Sequence, residues 1–94
     1  MTYVIASHKV QDYDAWKSVF DSFIEYRRSS GEQSYRILHP SNDPNDLTIL
    51  FEWDTLQNAE SFMESDELKS TMQKAGVLEA PRIQFLDQAE QGKL

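Results

Sequence analysis

The sequence predicts a small α+β domain whose strands and helices follow the order β-α-β-β-α-β. Residues Leu47–Trp53, read L-T-I-L-F-E-W, are the most apolar run of the chain, and such a run is typical of a strand covered on both faces. Turn-forming residues fill positions 40–46 directly before it. A 3.6-residue apolar period, which indicates an amphipathic helix, follows the first β-prone segment. These observations together predict a sheet with helices packed on it.

Composition limits the classes of function. The 94 residues fit one domain, 1–94, in which 88–94 is a polar tail. The net charge of −7 argues against nucleic acid and anionic membranes as partners, because both attract basic surfaces. There is no cysteine, so disulfides and thiolate ligands are excluded. No secretory signal pattern and no apolar window of about 18 residues is present, and a cytoplasmic protein is expected.

The first half of the chain predicts a strand followed by one long helix. The strand is expected at Thr2–Val10, and Asp12 or Asp14 offers a carboxylate to cap the helix. The helix is expected to run from about residue 13 to residue 30 and to end at Gly31. One face of its 3.6-residue period carries Trp16, Val19, Phe20, Phe23 and Arg27.

The second half predicts a hairpin, two short helices and a last strand. Strands at Gln33–His39 and Leu47–Trp53 are joined by the turn. Helices are expected at Leu56–Glu64 and about Asp66–Ala75, as one helix broken in two. The last strand is expected at Arg82–Gln88. This order is the ferredoxin-like arrangement, with a four-stranded antiparallel sheet in the order 4-1-3-2 and the helices on one face.

An open sheet face predicts a partner. The third strand carries Leu47, Ile49, Phe51 and Trp53 on one side and Thr48, Leu50 and Glu52 on the other. Whichever side meets the helices, the opposite side keeps apolar atoms, and an exposed apolar face in a small protein indicates an interface. A homodimer through the sheet face is therefore expected, related by a two-fold axis.

Five segments resemble one known group of proteins. They are Asp12–Lys17, Asp43–Asn45, Phe51–Trp53, Ala59–Ser65 with Leu68, and Ala75–Val77 with Pro81. They resemble the dimeric α/β-barrel superfamily and, within it, the antibiotic-biosynthesis-monooxygenase-like and cyclase-like small proteins. The resemblance covers roughly residues 2–88. It implies two sheets facing each other across a dimer, and a cavity in each protomer between sheet and helices.

The resemblance also implies where the chemistry of this chain departs from its relatives. The haem-degrading branch uses an asparagine, a tryptophan and a histidine at positions that match Ser7, Trp53 and Met72, so only the tryptophan is kept. The quinone-forming monooxygenases, which work without metal or flavin, use an asparagine where this chain has Ile49. No cofactor and no metal site are expected, and the Gly-rich phosphate loop and H-E-x-x-H motifs are absent from the sequence.

The candidate substrate-binding residues are Ser7, Tyr35, Ile49, Phe51, Trp53 and Met72. Trp53 could stack on a flat ligand at the cavity wall, or it could be a core aromatic that closes the end of the sheet. Ile49 and Phe51 share its face by the two-residue period of a strand. Met72 could be a flexible core residue. Tyr35 could donate a hydrogen bond inside the pocket, or it could be half-buried and structural.

The candidate catalytic residues are His8 and Glu52. The first strand is expected to run parallel to the third, which places His8 near Glu52 and Trp53 and places His39 at the opposite end of the sheet. A carboxylate that orients an imidazole makes a general-base pair. The alternative is a partly exposed histidine at a strand end and a salt-bridged glutamate.

Two functions remain open on the sequence. One is a small enzyme, a cofactor-free monooxygenase or a cyclase or isomerase, acting on a planar aromatic or quinone-like metabolite. The other is a ligand-binding or structural homodimer without chemistry. A cavity that contains His8 or tyrosine hydroxyls beside Trp53 favours the enzyme, and a space filled by Phe23, Phe62 and Met72 favours the homodimer without chemistry.

Overall fold

The computed structural model describes all 94 residues and confirms the ferredoxin-like α+β fold. The sheet has the order β2-β3-β1-β4, and every neighbouring pair of strands is antiparallel. The elements are β1 (Thr2–Lys9), α1 (Tyr13–Ser22), α2 (Ile24–Ser30), β2 (Glu32–Leu38), β3 (Asp46–Trp53), α3 (Leu56–Met63), α4 (Asp66–Lys74) and β4 (Arg82–Asp87). The second helical segment is split in two, as predicted.

The first helical segment is also split, and the prediction of one helix over residues 13–30 was wrong. It breaks at Phe23, whose N–H donates to the carbonyl of Phe20 at 3.3 Å, a three-residue spacing that tightens the turn. The hydroxyl of Ser22 donates to the carbonyl of Val19 at 2.7 Å. A serine that bonds back to the preceding turn competes with the helical pattern and often bends the helix.

Two predicted helix ends are confirmed. Asp12 caps α1, since its Oδ2 accepts the N–H of Ala15 at 2.9 Å. Gly31 ends α2 with φ of 122°, a conformation that favours glycine. A Cβ at this glycine would lie 2.4 Å from Oδ1 of Asp54, so a larger residue would also displace that side chain.

The face of β3 that meets the helices carries Leu47, Ile49, Phe51 and Trp53. All four are buried, and the residues between them are only half-buried. The helix-facing residues of β1 alternate in the same way. The core therefore lies between the sheet and one layer of helices, and the face with Thr48, Leu50 and Glu52 is open.

The expectation that β1 and β3 are parallel was wrong. Thr2 pairs with Trp53 and His8 pairs with Leu47, which is an antiparallel register. The hairpin turn reverses β3 relative to β2, and β1 lies beside β3 in the opposite direction. His8 is therefore at the end of β3 where the strand begins. None of the helices combines the length and the apolar character needed to cross a membrane.

Candidate functional site

A cavity of about 70 Å³ lies between the sheet and the helices. Most of its lining is hydrophobic, and its aromatic members are Trp16, Phe20, Phe23, Phe51 and Phe62. An engineered apolar cavity of about 150 Å³ accepts benzene. The cavity of this protein must therefore expand before it takes an aromatic ring, and its lining suits such a ring.

His8 forms a polar point in this apolar wall. It is only 7% exposed, and neither Nδ1 nor Nε2 has a hydrogen-bond partner in the protein. Its ring lies 5.9 Å from that of Trp16, measured between centroids. Burial lowers the pKa of His8, and the charge of Glu79 opposes this shift. A buried imidazole with a lowered pKa is neutral at neutral pH and can accept a proton.

A second polar point is the guanidinium of Arg27, which is also buried and borders the cavity. Its Nη1 donates to Oε2 of Glu32, and its Nη2 donates to the carbonyl of Phe20 at 3.2 Å. The guanidinium carbon lies 3.7 Å from the centre of the Phe20 ring, a cation–π contact. Burial raises the pKa of Glu32 to about 7, although the charge and hydrogen bond of Arg27 act in the opposite direction.

The α4 side of the cavity is its least firmly packed wall. Leu68, Thr71 and Met72 line the cavity from α4, and that helix has no buried residue. By contrast, α3 buries Ala59 and Phe62. Because few apolar contacts fix α4 and a methionine side chain has several rotatable bonds, this wall is the one that can move to enlarge the cavity.

Solved structures share this arrangement of sheet and helices. A candidate antibiotic biosynthesis monooxygenase from Bordetella bronchiseptica superposes with a TM-score of 0.78 at 16% identity, over 95% of this chain and 97% of that one. SnoaB, a cofactor-independent oxygenase from Streptomyces nogalater, superposes with a TM-score of 0.77 at 10% identity, over 96% and 94%. A conserved protein from Methanosarcina mazei Go1 superposes with a TM-score of 0.70 at 20% identity, over 90% of this chain and 89% of that one.

The chain has the fold of the antibiotic biosynthesis monooxygenases. This confirms the fold that the sequence resemblance implied. No protein-family model matches the sequence, and no curated protein matches it.

Within this monooxygenase fold, four of the predicted site residues line the cavity. They are His8, Ile49, Phe51 and Met72. Ile49 and Phe51 come from the buried face of β3, and Met72 comes from α4. The structure brings them together because the helix-facing sides of β1 and β3 and the inner side of α4 enclose one space.

Trp53 and Tyr35 lie outside the cavity lining. Trp53 is completely buried, and its ring lies 5.1 Å from that of Phe62. This position is the core aromatic that was the alternative interpretation. Tyr35 is 37% exposed and meets the outer side of Phe20, with 5.1 Å between ring centroids.

Ser7 and Glu52 lie on the open face of the sheet, away from the cavity. Ser7 Oγ is 3.5 Å from the hydroxyl oxygen of Thr48. Glu52 accepts hydrogen bonds from Tyr3 at 3.1 Å and from Ser34 at 3.0 Å. Its hydrogen bond is the main cause of a raised pKa of Tyr3. These bonds give Glu52 a structural role on the sheet surface.

The pairing of His8 with Glu52 is corrected by this geometry. His8 pairs with Leu47, five positions from Glu52, so the two lie about 17 Å apart along the sheet and on opposite faces. His39 is at the same end as His8 instead of the opposite end, because Leu38 pairs with Thr48. No group of three His, Asp or Glu side chains is close enough together to hold a metal ion.

Arg27 was missed as a site residue, and so were four of the aromatic lining residues, Trp16, Phe20, Phe23 and Phe62. The sequence did contain a signal for Arg27, since it continues the apolar face of Trp16, Phe20 and Phe23 at helical spacing. A charged residue within an apolar stripe indicates a buried, paired charge. Its partner Glu32 had no comparable signal, because it follows the helix end and belongs to the start of β2.

Proposed function

We propose that the cavity binds a planar aromatic or quinone-like molecule and that His8 removes a proton from it. The observation that carries this proposal is the neutral, buried His8 with two unpartnered ring nitrogens in an apolar, aromatic wall. Proton removal next to a carbonyl or phenol is the first step shared by cofactor-free monooxygenation, isomerisation and cyclisation. A single well-placed base contributes about 10²–10⁴-fold to such a step.

The environment suits this chemistry in three ways. Burial keeps His8 neutral, so its lone pair is available near neutral pH. The aromatic side chains fit the faces of a flat substrate. The small space also excludes water, so that interactions of protein groups with the deprotonated substrate are stronger than in solution.

Of the three reactions, monooxygenation, isomerisation and cyclisation, the likeness in fold supports monooxygenation. SnoaB is described as a cofactor-independent oxygenase, and the Bordetella protein as a candidate antibiotic biosynthesis monooxygenase. With anthrone as a model substrate, the deprotonated molecule would reduce oxygen directly. Its CH₂ carbon becomes a carbonyl with one oxygen atom of O₂, and the other oxygen atom leaves as water with the two hydrogens.

The test of proton removal uses phenylacetone, a one-ring ketone with an acidic CH₂ group, in D₂O. Exchange of the benzylic protons is followed by ¹H NMR. The wild-type protein is expected to accelerate exchange, and His8→Gln is expected to lose about 10²–10⁴-fold of the effect. His39→Gln is the matched control, because His39 is exposed. Equal exchange with His8→Gln and with the wild type would contradict the proposal.

Oxygenation is then separated from proton exchange with an oxygen electrode and anthrone as the probe. Uptake of one O₂ per anthrone that depends on His8 supports the monooxygenase. Proton exchange without oxygen uptake supports an isomerase or cyclase. A fused-ring probe requires a larger movement of the α4 wall than a single ring does, so the one-ring ketone remains the primary test.

A second candidate is a ligand-binding or structural homodimer without chemistry. The favouring observation is that Phe23, Phe62 and Met72 do border the cavity and leave only about 70 Å³. His8 would then be a buried polar residue without a proton to move. Tight binding of phenylacetone without any exchange would support this candidate.

We further propose that the protein forms a homodimer through the open sheet face. Ile5 and Leu50 are paired neighbours on this face, and Leu38 and Leu86 lie on the same side of the edge strands. Leu38 is 53% exposed and Leu86 is 38% exposed. Covering these side chains removes apolar surface from water, which favours association.

A further inference from the structure

The ion pair of Arg27 and Glu32 is incompletely bonded although it is buried. Only one nitrogen of Arg27 bonds to the carboxylate, through Nη1 and Oε2. The Nε of Arg27 and the Oε1 of Glu32 have no partner in the protein. Arginine and carboxylate usually meet through two parallel hydrogen bonds. Here a donor and an acceptor are both left over, in side chains that are only 3% and 6% exposed.

The two unused atoms belong to residues that border different spaces. Arg27 lines the aromatic cavity. Glu32 borders a separate, more polar cleft together with Arg28, Ser34 and Tyr35. The pair therefore forms the partition between the cavity and the cleft, and its positive member is the one that meets the cavity.

The rest of the cavity offers no competing positive charge, because its other lining side chains are hydrophobic apart from His8 and Thr71. The hydroxyl of Thr71 already donates to the carbonyl of Glu67 at 2.7 Å. Arg27 is thus the strongest hydrogen-bond donor among the side chains that line the cavity. The guanidinium also stacks on Phe20, one of the aromatic walls.

We propose that Arg27 is the specificity-determining residue of the cavity and that it selects aromatic ligands that carry a carboxylate, with Glu32 taking up a proton when the anion binds. This inference rests on the proposed function, since it names the substrate class of the same cavity. The ligand would present its ring to the aromatic side chains and its carboxylate to the guanidinium.

Proton uptake follows from charge balance at the pair. One guanidinium in an apolar setting balances one anion, and a second carboxylate nearby favours protonation of one of the two. Glu32 is the group that changes, because burial already raises its pKa to about 7. The other groups that act on Arg27 are Tyr35 of β2 and Asp21 of α1, whose charges favour the protonated guanidinium.

The test compares benzoate with benzamide, its neutral isostere, by calorimetry between pH 6 and pH 8.5. Benzoate is expected to bind about tenfold more tightly than benzamide at pH 6, as a charge-assisted hydrogen bond would give. Its affinity is expected to fall as pH rises above about 7, approaching tenfold per pH unit, because a proton must be taken up. Measurements in phosphate and in Tris, which differ in ionisation enthalpy, count that proton directly. Benzamide affinity is expected to stay constant.

Two variants and a control make the test specific. Glu32→Gln keeps the hydrogen bond to Arg27 and is expected to bind benzoate with no proton uptake and no pH dependence. Arg27→Gln is expected to lose the preference for benzoate. Arg28→Gln, an exposed neighbour, is expected to behave as the wild type. Equal affinity for benzoate and benzamide in the wild type, or retained pH dependence in Glu32→Gln, would overturn the inference.

The result of the benzoate test can be distinguished from the result of the phenylacetone test of the proposed function. If proton exchange of phenylacetone depends on His8 while benzoate binds no better than benzamide, the two results contradict the role of Arg27 and support His8 as the base. Binding of benzoate that depends on Arg27, without any exchange of phenylacetone, supports the anion site and contradicts the proposed chemistry. If Arg27→Gln fails to fold, Glu32→Gln alone still decides the inference.

Discussion

His8 pairs across the sheet with Leu47, which places His8 at the opposite end of β3 from Trp53. His8 and Trp53, which the sequence predicted to lie in one site, therefore belong to different parts of the core. His8 borders the cavity, whereas Trp53 is buried against Phe62. The chemistry proposed for this protein accordingly depends on His8 and Arg27, and Trp53 contributes stability.

The first prediction concerns the pH dependence of His8. Burial lowers its pKa from the ordinary value of 6.5. We expect phenylacetone exchange to keep its full rate from pH 8 to pH 6.5 and to decline only below pH 6.5, where His8 gains a proton. The ¹³Cε1 shift of His8, assigned with His8→Gln, should move over the same range as the exchange rate. A rate that already declines between pH 8 and pH 7 would contradict this prediction.

The second prediction concerns stability and Glu32. The folded state holds the Glu32 proton up to a pKa of about 7, whereas the ordinary carboxyl value is 4.5. Between these values the folded state binds more protons than the unfolded state, so the free energy of unfolding falls as pH rises and then levels off. Over this pH range the contribution of Glu32 to the free energy of unfolding falls by at most about 3 kcal/mol.

The measurement is urea unfolding at several pH values, with the Glu32 contribution taken as the wild type minus Glu32→Gln. This subtraction is needed because the lowered pKa of His8 acts in the opposite direction and removes stability as pH falls below 6.5. Glu25→Gln serves as the control, because Glu25 forms an exposed pair with Arg28. The same pH slope in Glu32→Gln and in the wild type would count against the prediction.

The third prediction separates the two tryptophans. Trp53→Phe should lower the free energy of unfolding by about 1–3 kcal/mol, because it leaves a void in a fully buried position. It should leave phenylacetone binding unchanged. Trp16→Phe should instead weaken binding, since Trp16 lines the cavity and its ring stacks on Phe20 with 4.8 Å between centroids. Denaturation and titration of both variants decide the matter, and a larger binding loss in Trp53→Phe would reverse the assignment.

The fourth prediction concerns the open sheet face. Leu50→Lys places a charge beside Ile5 in the centre of the proposed interface. Burying an unpaired charge is costly, so this variant should be monomeric, with a mass of 10.9 kDa by size exclusion with light scattering. Leu56→Lys on α3, where the leucine is 48% exposed, should remain dimeric. A monomeric wild type would end the dimer proposal.

Local sequence patterns accounted for most of the architecture. Helix caps, the turn before β3 and the alternation along the strands are effects of neighbouring residues, and they gave the order of elements and the sheet order correctly. The break at Phe23 was not predicted, because it depends on the hydrogen bond of Ser22 to Val19 within an otherwise regular apolar period. The direction of β1 relative to β3 was predicted wrongly, although strands 1 and 3 are neighbours in the predicted order 4-1-3-2 and neighbours in an antiparallel sheet run in opposite directions.

The sequence by itself determined the fold and the set of side chains that could form a core, since periodicity records which face of each element is apolar. Only the tertiary structure decided which of these side chains meet. Register placed His8 in the cavity, Glu52 on the open face and Trp53 in the core, because a residue's neighbours across a sheet come from distant parts of the chain. The turn at Gly31 between α2 and β2 brings Glu32 to Arg27, and their burial between the helix and the sheet is what makes this pairing consequential.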